Sequence, residues 1–178
     1  MASFPRRLAI LPGLLMFVAA SAYAQCVPRF VATTGTDGTN DCSAQDNPCL
    51  TIQHAVGVDE TAGCSGDTVN VAAGTYTEQV TINTVLNLVG AGAATTTIQA
   101  PGFPLSGIGD IVTIGTGANV ELSGFTVSGP LVLPSQMCGV LGAGIDVLVG
   151  GTANIHDNII ANVRHEPIDG CRKGTGSP

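Results

Sequence analysis

The sequence predicts an all-β fold in which short parallel strands stack as the successive coils of a solenoid, preceded by one short capping helix. From Asp67 onward the chain is a series of short segments separated by glycines, which is typical of strands joined by tight turns. Hairpin signals such as Asn-Gly do not separate these segments, which disfavours an antiparallel meander or sandwich. The segments are also too close together for the helical crossovers of an ordinary parallel sheet. In a solenoid, each strand pairs instead with its counterpart one coil later.

An internal similarity supports the solenoid. When residues 111–138 are aligned with residues 144–171 without a gap, at an offset of 33, one apolar strand face and the turn positions superpose. The superposed pairs include Val112 with Ile145, Ile114 with Val147, Leu122 with Ile155, Val127 with Ile160, Gly117 with Gly150, and Cys138 with Cys171. Few of these pairs are identical, but an inward face that stays apolar while turn residues vary is what stacked coils require.

Residues 1–24 have the three parts of a secretory signal peptide. Two arginines are followed by the apolar run "LAILPGLLMFVAA" and by the small-residue site "AYA" at 22–24. A membrane anchor is the alternative, but Pro12 and Gly13 interrupt a run that is already shorter than the roughly 20 residues needed to span a bilayer. No later segment is long and apolar enough for this. We therefore expect a secreted protein in the periplasm, at the cell surface or outside the cell.

The mature sequence is strongly acidic. Removal of residues 1–24 leaves Arg29, Arg164, Arg172 and Lys173 against thirteen acidic residues, a formal charge of 4 − 13 = −9. No Lys or Arg lies between Arg29 and Arg164. Proteins that bind nucleic acid or anionic lipid need basic residues to neutralise phosphates, so the sequence excludes both as expected partners.

Residues 25–65 are predicted to form a disulfide-rich N-terminal segment with one helix. A short extended piece at Phe30–Thr33 precedes a loop rich in Gly, Asp and Asn. Apolar residues then follow at the helical spacing i, i+3, i+4, which predicts a short helix over Thr51–Val58 with its first residue as the N-cap. Gly57 and Gly63 are expected to weaken this helix.

All six cysteines lie in the exported part of the chain: Cys26, Cys42, Cys49, Cys64, Cys138 and Cys171. An even number of cysteines in an oxidising compartment indicates disulfides, and the absence of a C-x-x-C pair disfavours a metal site. Cys42 and Cys49 are expected to close the short loop "CSAQDNPC", which leaves Cys26 and Cys64 to pair around the helix. Cys138 and Cys171, separated by the offset of 33, are expected to join successive coils.

Residues 66–178 are predicted to form the coils. The strand segments are "TVNV", "QVTI", "VLNLVG", "TTIQA", "IVTIG", "NVELSGFTV", "GIDVLVG" and "ANIHDNIIANV", with "AAGTYTE" as a turn between the first two. The C-terminal "GCRKGTGSP" provides neither a helix nor a polar repeat to cover the last coil. The sequence therefore predicts few coils and no C-terminal cap, as in the N-terminal part of a longer solenoid or a degenerate short copy. It also predicts edge-to-edge association of the uncapped coil with other chains.

Three stretches carry a resemblance to a known group of proteins. "LTIQHAV", "GDTVNVAAGTYTEQVTI" and "LNLVGAGAATTTIQA" resemble the N-terminal coils of right-handed parallel β-helix proteins of the pectin-lyase-like superfamily, over residues 50–100. The resemblance implies a secreted bacterial β-helix protein whose short helix caps the first coil. Pectin methylesterases share this N-terminal pattern, so the resemblance also makes polysaccharide the expected partner.

The enzymes of this superfamily place their catalytic residues on later coils, and those motifs are missing here. Pectin methylesterases carry paired aspartates, one of them in a Gly-x-x-Asp-Phe context, with an arginine and glutamines. The lyases use an arginine or lysine base, often with calcium held by aspartates. The chain has no basic residue between residue 29 and Arg164 and no Asp cluster. We therefore assign no catalytic residue, no cofactor and no metal ligand, because a fold does not carry its function with it.

Two short motifs have structural interpretations. Gly90-Ala-Gly92 follows a strand, as in a dinucleotide fingerprint, but that fingerprint requires a helix next, and "TTTIQA" is another strand. A turn of the solenoid is expected instead. Tyr76 and Glu78 lie on the turn "AAGTYTE", which is structural in the resembling proteins, and Glu78 is expected to be an exposed, solvated carboxylate.

The densest polar chemistry in the sequence is formed by His156, Asp157, Arg164, His165 and Glu166. A metal or acid–base site would need the two histidines to converge, and nine residues across a turn do not ensure this, so outward-facing side chains are expected. Asn158 falls where β-helices often stack asparagines inside a turn. Its counterpart at the offset of 33 is Phe125, so no continuing ladder is expected.

The sequence thus predicts a non-catalytic secreted β-helix module with a binding or structural role, such as glycan contact or adhesion through its exposed sheet. The alternative is the N-terminal part of a carbohydrate-active enzyme, of the pectin methylesterase or polysaccharide lyase type, that lacks its catalytic coils. Turnover of pectin or polygalacturonate would separate the two.

Overall fold

The structure, a computed structural model, describes residues 26–101, 109–129 and 142–163. One helix, α1 (Ile52–Ala62), follows the first strand and precedes all the others. The strands are β1 (Arg29–Val31), β2 (Asp67–Val71), β3 (Gly74–Thr77), β4 (Val80–Ile82), β5 (Val85–Gly90), β6 (Thr96–Gln99), β7 (Val112–Ile114), β8 (Asn119–Ser123), β9 (Thr126–Ser128), β10 (Ile145–Val147), β11 (Thr152–His156) and β12 (Ile159–Ala161).

The strands form three parallel sheets, and from β2 onward consecutive strands along the chain belong to different sheets. The sheet orders are β1-β2-β5-β8-β11, β4-β7-β10 and β3-β6-β9-β12. Each strand inside a sheet therefore hydrogen-bonds to one strand from the coil before it and to one from the coil after it. This arrangement is a parallel β-helix, the fold class that the sequence predicts.

The pairing of the last two coils has the register expected from the sequence. Val112 pairs with Ile145, and Leu122 pairs with Ile155, which in both cases is an offset of 33. In the third sheet Val127 pairs with Ile160 at the same offset. Inward-facing residues are fully buried where a further coil covers them, as at Leu122 and Val127.

Helix α1 caps the first coil, as expected, but it is longer than predicted. It runs four residues beyond the expected end at Val58 and stops at Gly63, whose φ of 67° gives a left-handed C-cap with its N–H directed to the carbonyls of Asp59 and Glu60. Gly63 therefore ends the helix and does not weaken it. Gly57 lies within the helix, where burial of Ile52 against the core offsets its low propensity.

The prediction that "AAGTYTE" is a turn is wrong, because Gly74–Thr77 forms β3 and pairs with β6. Tyr76 is 3% exposed, and its hydroxyl donates a hydrogen bond to the Ala72 carbonyl at 2.9 Å. Burial of this aromatic side chain on a pleated strand stabilises a third wall of the coil in place of a turn. Tyr76 is thus structural, as the sequence indicated.

Two predicted strands are each divided by a corner. "NVELSGFTV" forms β8 and β9, separated by Gly124 with a φ of 79°. "ANIHDNIIANV" forms β11 and β12, separated by Asp157 with a φ of 54°. A left-handed residue turns the chain from one sheet to the next, and Gly adopts that conformation without the steric cost of a Cβ.

Two disulfides tie down the N-terminal segment, and they are the two pairs expected for these four cysteines. Cys42–Cys49 has a Cα–Cα distance of 5.1 Å, and Cys26–Cys64 has one of 5.3 Å. Cys138 and Cys171 lie outside the described residues, as do the predicted signal peptide and the C-terminal segment that the sequence predicts to be uncapped. Among the described residues, no helix is long and apolar enough to cross a membrane.

Candidate functional site

The outer face of the five-stranded sheet presents nine polar side chains in regular register. Because side chains alternate along each strand, one set points into the core and the other points outward. We call the outward set the polar face; it comprises Phe30, Thr68, Asn70, Val85, Asn87, Val89, Asn119, Glu121, Ser123, Thr152, Asn154 and His156. Three of these residues are apolar. The other side chains carry amides, hydroxyls, one carboxylate and one imidazole.

One row of the polar face crosses four strands. Thr68 pairs with Asn87, Asn87 pairs with Glu121, and Glu121 pairs with Asn154. Neighbouring strands lie about 4.8 Å apart, so this row places a hydroxyl, an amide, a carboxylate and an amide at regular intervals along the solenoid axis. We call it the Asn–Glu–Asn row after its last three members.

A shallow groove lies beside this row, at the N-terminal end of the polar face. It has a volume of about 430 Å³ and is lined by Phe30, Asn70 and Val89 from the sheet and by Gln45 and Pro48 from the preceding loop. Phe30 pairs with Asn70, which pairs with Val89, so these three side chains form the floor of the groove in register. The groove combines an aromatic ring with two side-chain amides.

His156, on the last strand of the polar face, contacts two carboxylates. Its Nε2 lies 3.2 Å from Glu121 Oε1, and its Nδ1 lies 2.9 Å from Asp157 Oδ2. The hydrogen bond with Asp157, followed by that with Glu121, raises the pKa of His156 above 6.5. The three side chains are 41%, 45% and 85% exposed for His156, Glu121 and Asp157, so they face outward as expected. We call these three residues the His156 cluster.

The His156 cluster is not arranged to hold a metal ion. Each ring nitrogen contacts a different carboxylate, so the carboxylates lie on opposite sides of the imidazole and do not converge on one point. Glu121 was not singled out from the sequence. The partners proposed in the sequence, His165, Glu166 and Arg164, lie outside the described residues.

The surface of the described residues carries no exposed basic side chain apart from histidine. Arg29 is the one Lys or Arg among them, it is 3% exposed, and its Nε lies 3.7 Å from Asp59 Oδ1. Its Nη1 also donates a hydrogen bond to the Asp41 carbonyl at 3.1 Å. The same residues include eleven Asp and Glu. The polar face therefore lies in a negative field.

The expectation that Glu78 is a solvated carboxylate is wrong. Its two carboxylate oxygens accept hydrogen bonds from the backbone N–H groups of Ile52 and Gln53, at 2.9 and 2.8 Å. These groups belong to the first turn of α1, where N–H groups have no partner within the helix. Burial raises the pKa of Glu78, and the two hydrogen bonds partly oppose that shift. Glu78 is therefore a structural cap.

Two further predictions from the sequence concern turns of the solenoid. The segment after Gly90 leads into strand β6 and not into a helix, so the glycine pair is a turn, as expected. Asn158 accepts a hydrogen bond from Phe125 N at 2.9 Å and donates one to the Leu122 carbonyl at 2.8 Å. Asn158 thus holds the corner of the coil before it, and the asparagine ladder does not continue at Phe125.

A larger cavity, of about 850 Å³, lies at the N-terminal end of the molecule, between α1 and the loop before it. Its lining includes His54, Val58 and the buried Arg29. Burial and then the nearby Asp67 raise the pKa of Asp59, the ion-pair partner of that arginine. The ion pair belongs to the helical cap.

Cys42 and Cys49 lie close to His54, but disulfide sulfurs do not provide the thiolates that metal ions bind.

Comparison with known proteins finds likeness only at the level of structure. No protein-family model matches the chain, and no characterised protein matches it by sequence. A mutant pectin methylesterase in complex with hexasaccharide IV is 17% identical with a TM-score of 0.53, and the match covers 75% of this chain and 44% of that one. Pectin methylesterase PemA from Erwinia chrysanthemi is 16% identical with a TM-score of 0.46, covering 75% and 45%.

The chain spans less than half the length of these two structures. At this level of identity the likeness defines the fold, a right-handed parallel β-helix, which confirms the fold class predicted from the sequence. It does not transfer an activity, because proteins of one fold carry out many functions.

Proposed function

We propose that the protein is a non-catalytic secreted β-helix module that binds a glycan through its polar face. The observation that supports this most is the Asn–Glu–Asn row beside a groove floored by Phe30. Amides and carboxylates match the hydroxyl groups of sugars as hydrogen-bond donors and acceptors. An aromatic ring packs against the apolar face of a sugar, and the groove provides the concave surface that ligand sites use.

Secretion is part of the same proposal. Residues 1–24 serve as a signal peptide, residues 25–65 form the capped N-terminal segment, and residues 66–178 form the coils. Two disulfides within 26–64 support a location in the periplasm, at the cell surface or outside the cell, because such compartments are oxidising. A structural or adhesive role at a cell surface is compatible with glycan contact.

Binding is tested by affinity electrophoresis of the mature chain in gels containing β-1,4-galactan, methyl-esterified pectin or polygalacturonate. At least one polymer is expected to retard the chain. The double variant Asn87→Ala/Asn154→Ala, which removes the amides on either side of Glu121, should weaken binding by about tenfold through loss of two hydrogen bonds. Thr113→Ala, on the outer side of the three-stranded sheet, is the matched control and should bind normally. The proposal fails if none of the polymers retards the chain.

The alternative function is a carbohydrate-active enzyme of the pectin methylesterase or lyase type, of which this chain is the N-terminal part. Its support is the fold shared with a pectin methylesterase. Incubation of the chain with pectin and polygalacturonate, with and without calcium, should release no methanol, no unsaturated products and no new reducing ends. Turnover of any kind would favour the enzyme.

A further inference from the structure

We infer that the glycan bound by the polar face is uncharged, and that polyuronates are rejected. This inference rests on the proposed function and adds the chemical class of the ligand. Three features of the described residues carry it: a carboxylate at the centre of the face, a second carboxylate tied to it through His156, and the absence of any exposed Lys or Arg.

The central carboxylate selects for donors of hydrogen bonds. Glu121 lies between Asn87 and Asn154 in register, so a sugar ring that contacts these amides also lies against Glu121. An ionised carboxylate accepts hydrogen bonds and donates none. Sugar hydroxyls satisfy it, whereas a uronate carboxylate at the same place brings two negative charges together with no donor between them.

His156 does not reverse this charge. Its ring already bonds Glu121 and Asp157, so protonation of the imidazole adds one positive charge to a cluster with two negative ones. The His156 cluster therefore has a net charge of about −2 with neutral histidine and about −1 with protonated histidine. The outward residues of the neighbouring strands β2 and β5 are uncharged: Thr68, Asn70, Val85, Asn87 and Val89. A uronate would therefore find no Lys or Arg among the described residues at the centre of the face, and the only possible cation there, His156, is already bonded to two carboxylates.

The test uses two polymers that share a backbone and differ in charge. Binding of the mature chain to polygalacturonate and to its fully methyl-esterified form is measured by isothermal titration calorimetry, with β-1,4-galactan as a second uncharged polymer. EDTA is present throughout, so that calcium cannot bridge carboxylates. At about 20 mM salt an uncharged polymer should bind at least about tenfold more tightly than polygalacturonate, and the difference should shrink in about 0.5 M salt as charges are screened.

The variant Glu121→Gln assigns the effect to one residue. Glutamine has the same shape and still bonds His156, so the fold is expected to be unchanged, as checked by circular dichroism. Polygalacturonate should bind the variant about fivefold more tightly than it binds the wild type at low salt, because one repulsive charge is removed. Asp146→Asn makes the same change of charge on the three-stranded sheet and should leave binding of both polymers unaltered.

The possible outcomes separate the inference from the proposed function. Binding of an uncharged polymer with weak binding of polygalacturonate supports both. Binding of polygalacturonate at least as tightly as its esterified form, in EDTA, leaves the glycan-binding function standing and overturns the inference. If no polymer binds, the proposed function fails and the inference fails with it. Equal effects of Glu121→Gln and Asp146→Asn would show that net charge, and not the polar face, determines the selectivity, which also overturns the inference.

Discussion

At the scale of single residues, Glu78 shows how a side chain far away in sequence completes a helix. The Thr51 hydroxyl oxygen accepts a hydrogen bond from His54 N at 3.2 Å. The Glu78 carboxylate accepts hydrogen bonds from the backbone N–H groups of Ile52 and Gln53. Together the two side chains satisfy three of the N–H groups that the first turn of a helix leaves open. The negative charge of Glu78 also lies at the positive end of the helix dipole.

We expect Glu78→Ala to lower the free energy of unfolding by about 2 kcal/mol, because it leaves two backbone N–H groups without their acceptors. Chemical denaturation monitored by circular dichroism measures this. The control Asp46→Ala removes an exposed acid from the loop before α1 and should change stability by less than about 0.5 kcal/mol. Equal stability of the two variants would contradict the capping role.

A second prediction at this scale concerns the titration of His156. Its pKa is raised, first by Asp157 and then by Glu121, so the folded chain holds the imidazole proton to higher pH than the unfolded chain does. The stabilisation is therefore complete below pH 6.5 and is lost as the pH rises through the folded pKa. NMR titration should place the pKa above 6.5, with a lower value in Asp157→Asn. An unshifted pKa in the wild type would show that the two hydrogen bonds do not persist in solution.

At the scale of secondary-structure elements, the register of the strands could be predicted from the sequence, because it depends on the apolar face of each strand. The register of β10, β11 and β12 against the previous coil follows from inward residues such as Leu122 and Ile155, which share an offset of 33. The strand β3 could not be predicted because "GTYT" begins with a glycine and precedes a polar segment. Such a segment looks like a turn until Tyr76 is known to be buried. The length of α1 was missed because Gly57 lowers its local propensity.

The candidate site was only partly predictable, for a reason of sequence distance. His156 and Asp157 are adjacent and stand out as dense polar chemistry, whereas Glu121 lies 35 residues away from the histidine that it contacts. The offset of 33 does place Glu121 opposite Asn154, two residues from His156 on the same outward face. Extending the register from apolar residues to polar ones would therefore have brought the two together. Nothing comparable links Glu78 to Gln53, because a helix shares no register with the corner that follows β3.

At the scale of the whole molecule, the two ends of the described solenoid differ. At the N-terminal end α1 covers the first coil, and its Ile52, Ala55 and Val56 are fully buried. At the other end Ile155 and Ile160 are 42% and 51% exposed, although they stack directly on the fully buried Leu122 and Val127. The strands β10, β11 and β12 are also the outermost strands of the described sheets, so one edge of each has no partner strand among the described residues.

We therefore predict that the chain, produced without residues 1–24, self-associates through its last described coil. Since α1 covers the other end, head-to-tail stacking is blocked, and the symmetric solution is a closed tail-to-tail dimer and not a filament. Light scattering over a range of concentrations should show a dimer, and Ile155→Thr/Ile160→Thr should shift it toward monomer by removing apolar contact while keeping residues that favour strands. Leu50→Thr, at an exposed apolar residue near α1, is the control and should not affect association. A wild-type chain that stays monomeric at high concentration would mean that this coil is covered by other residues of the same chain.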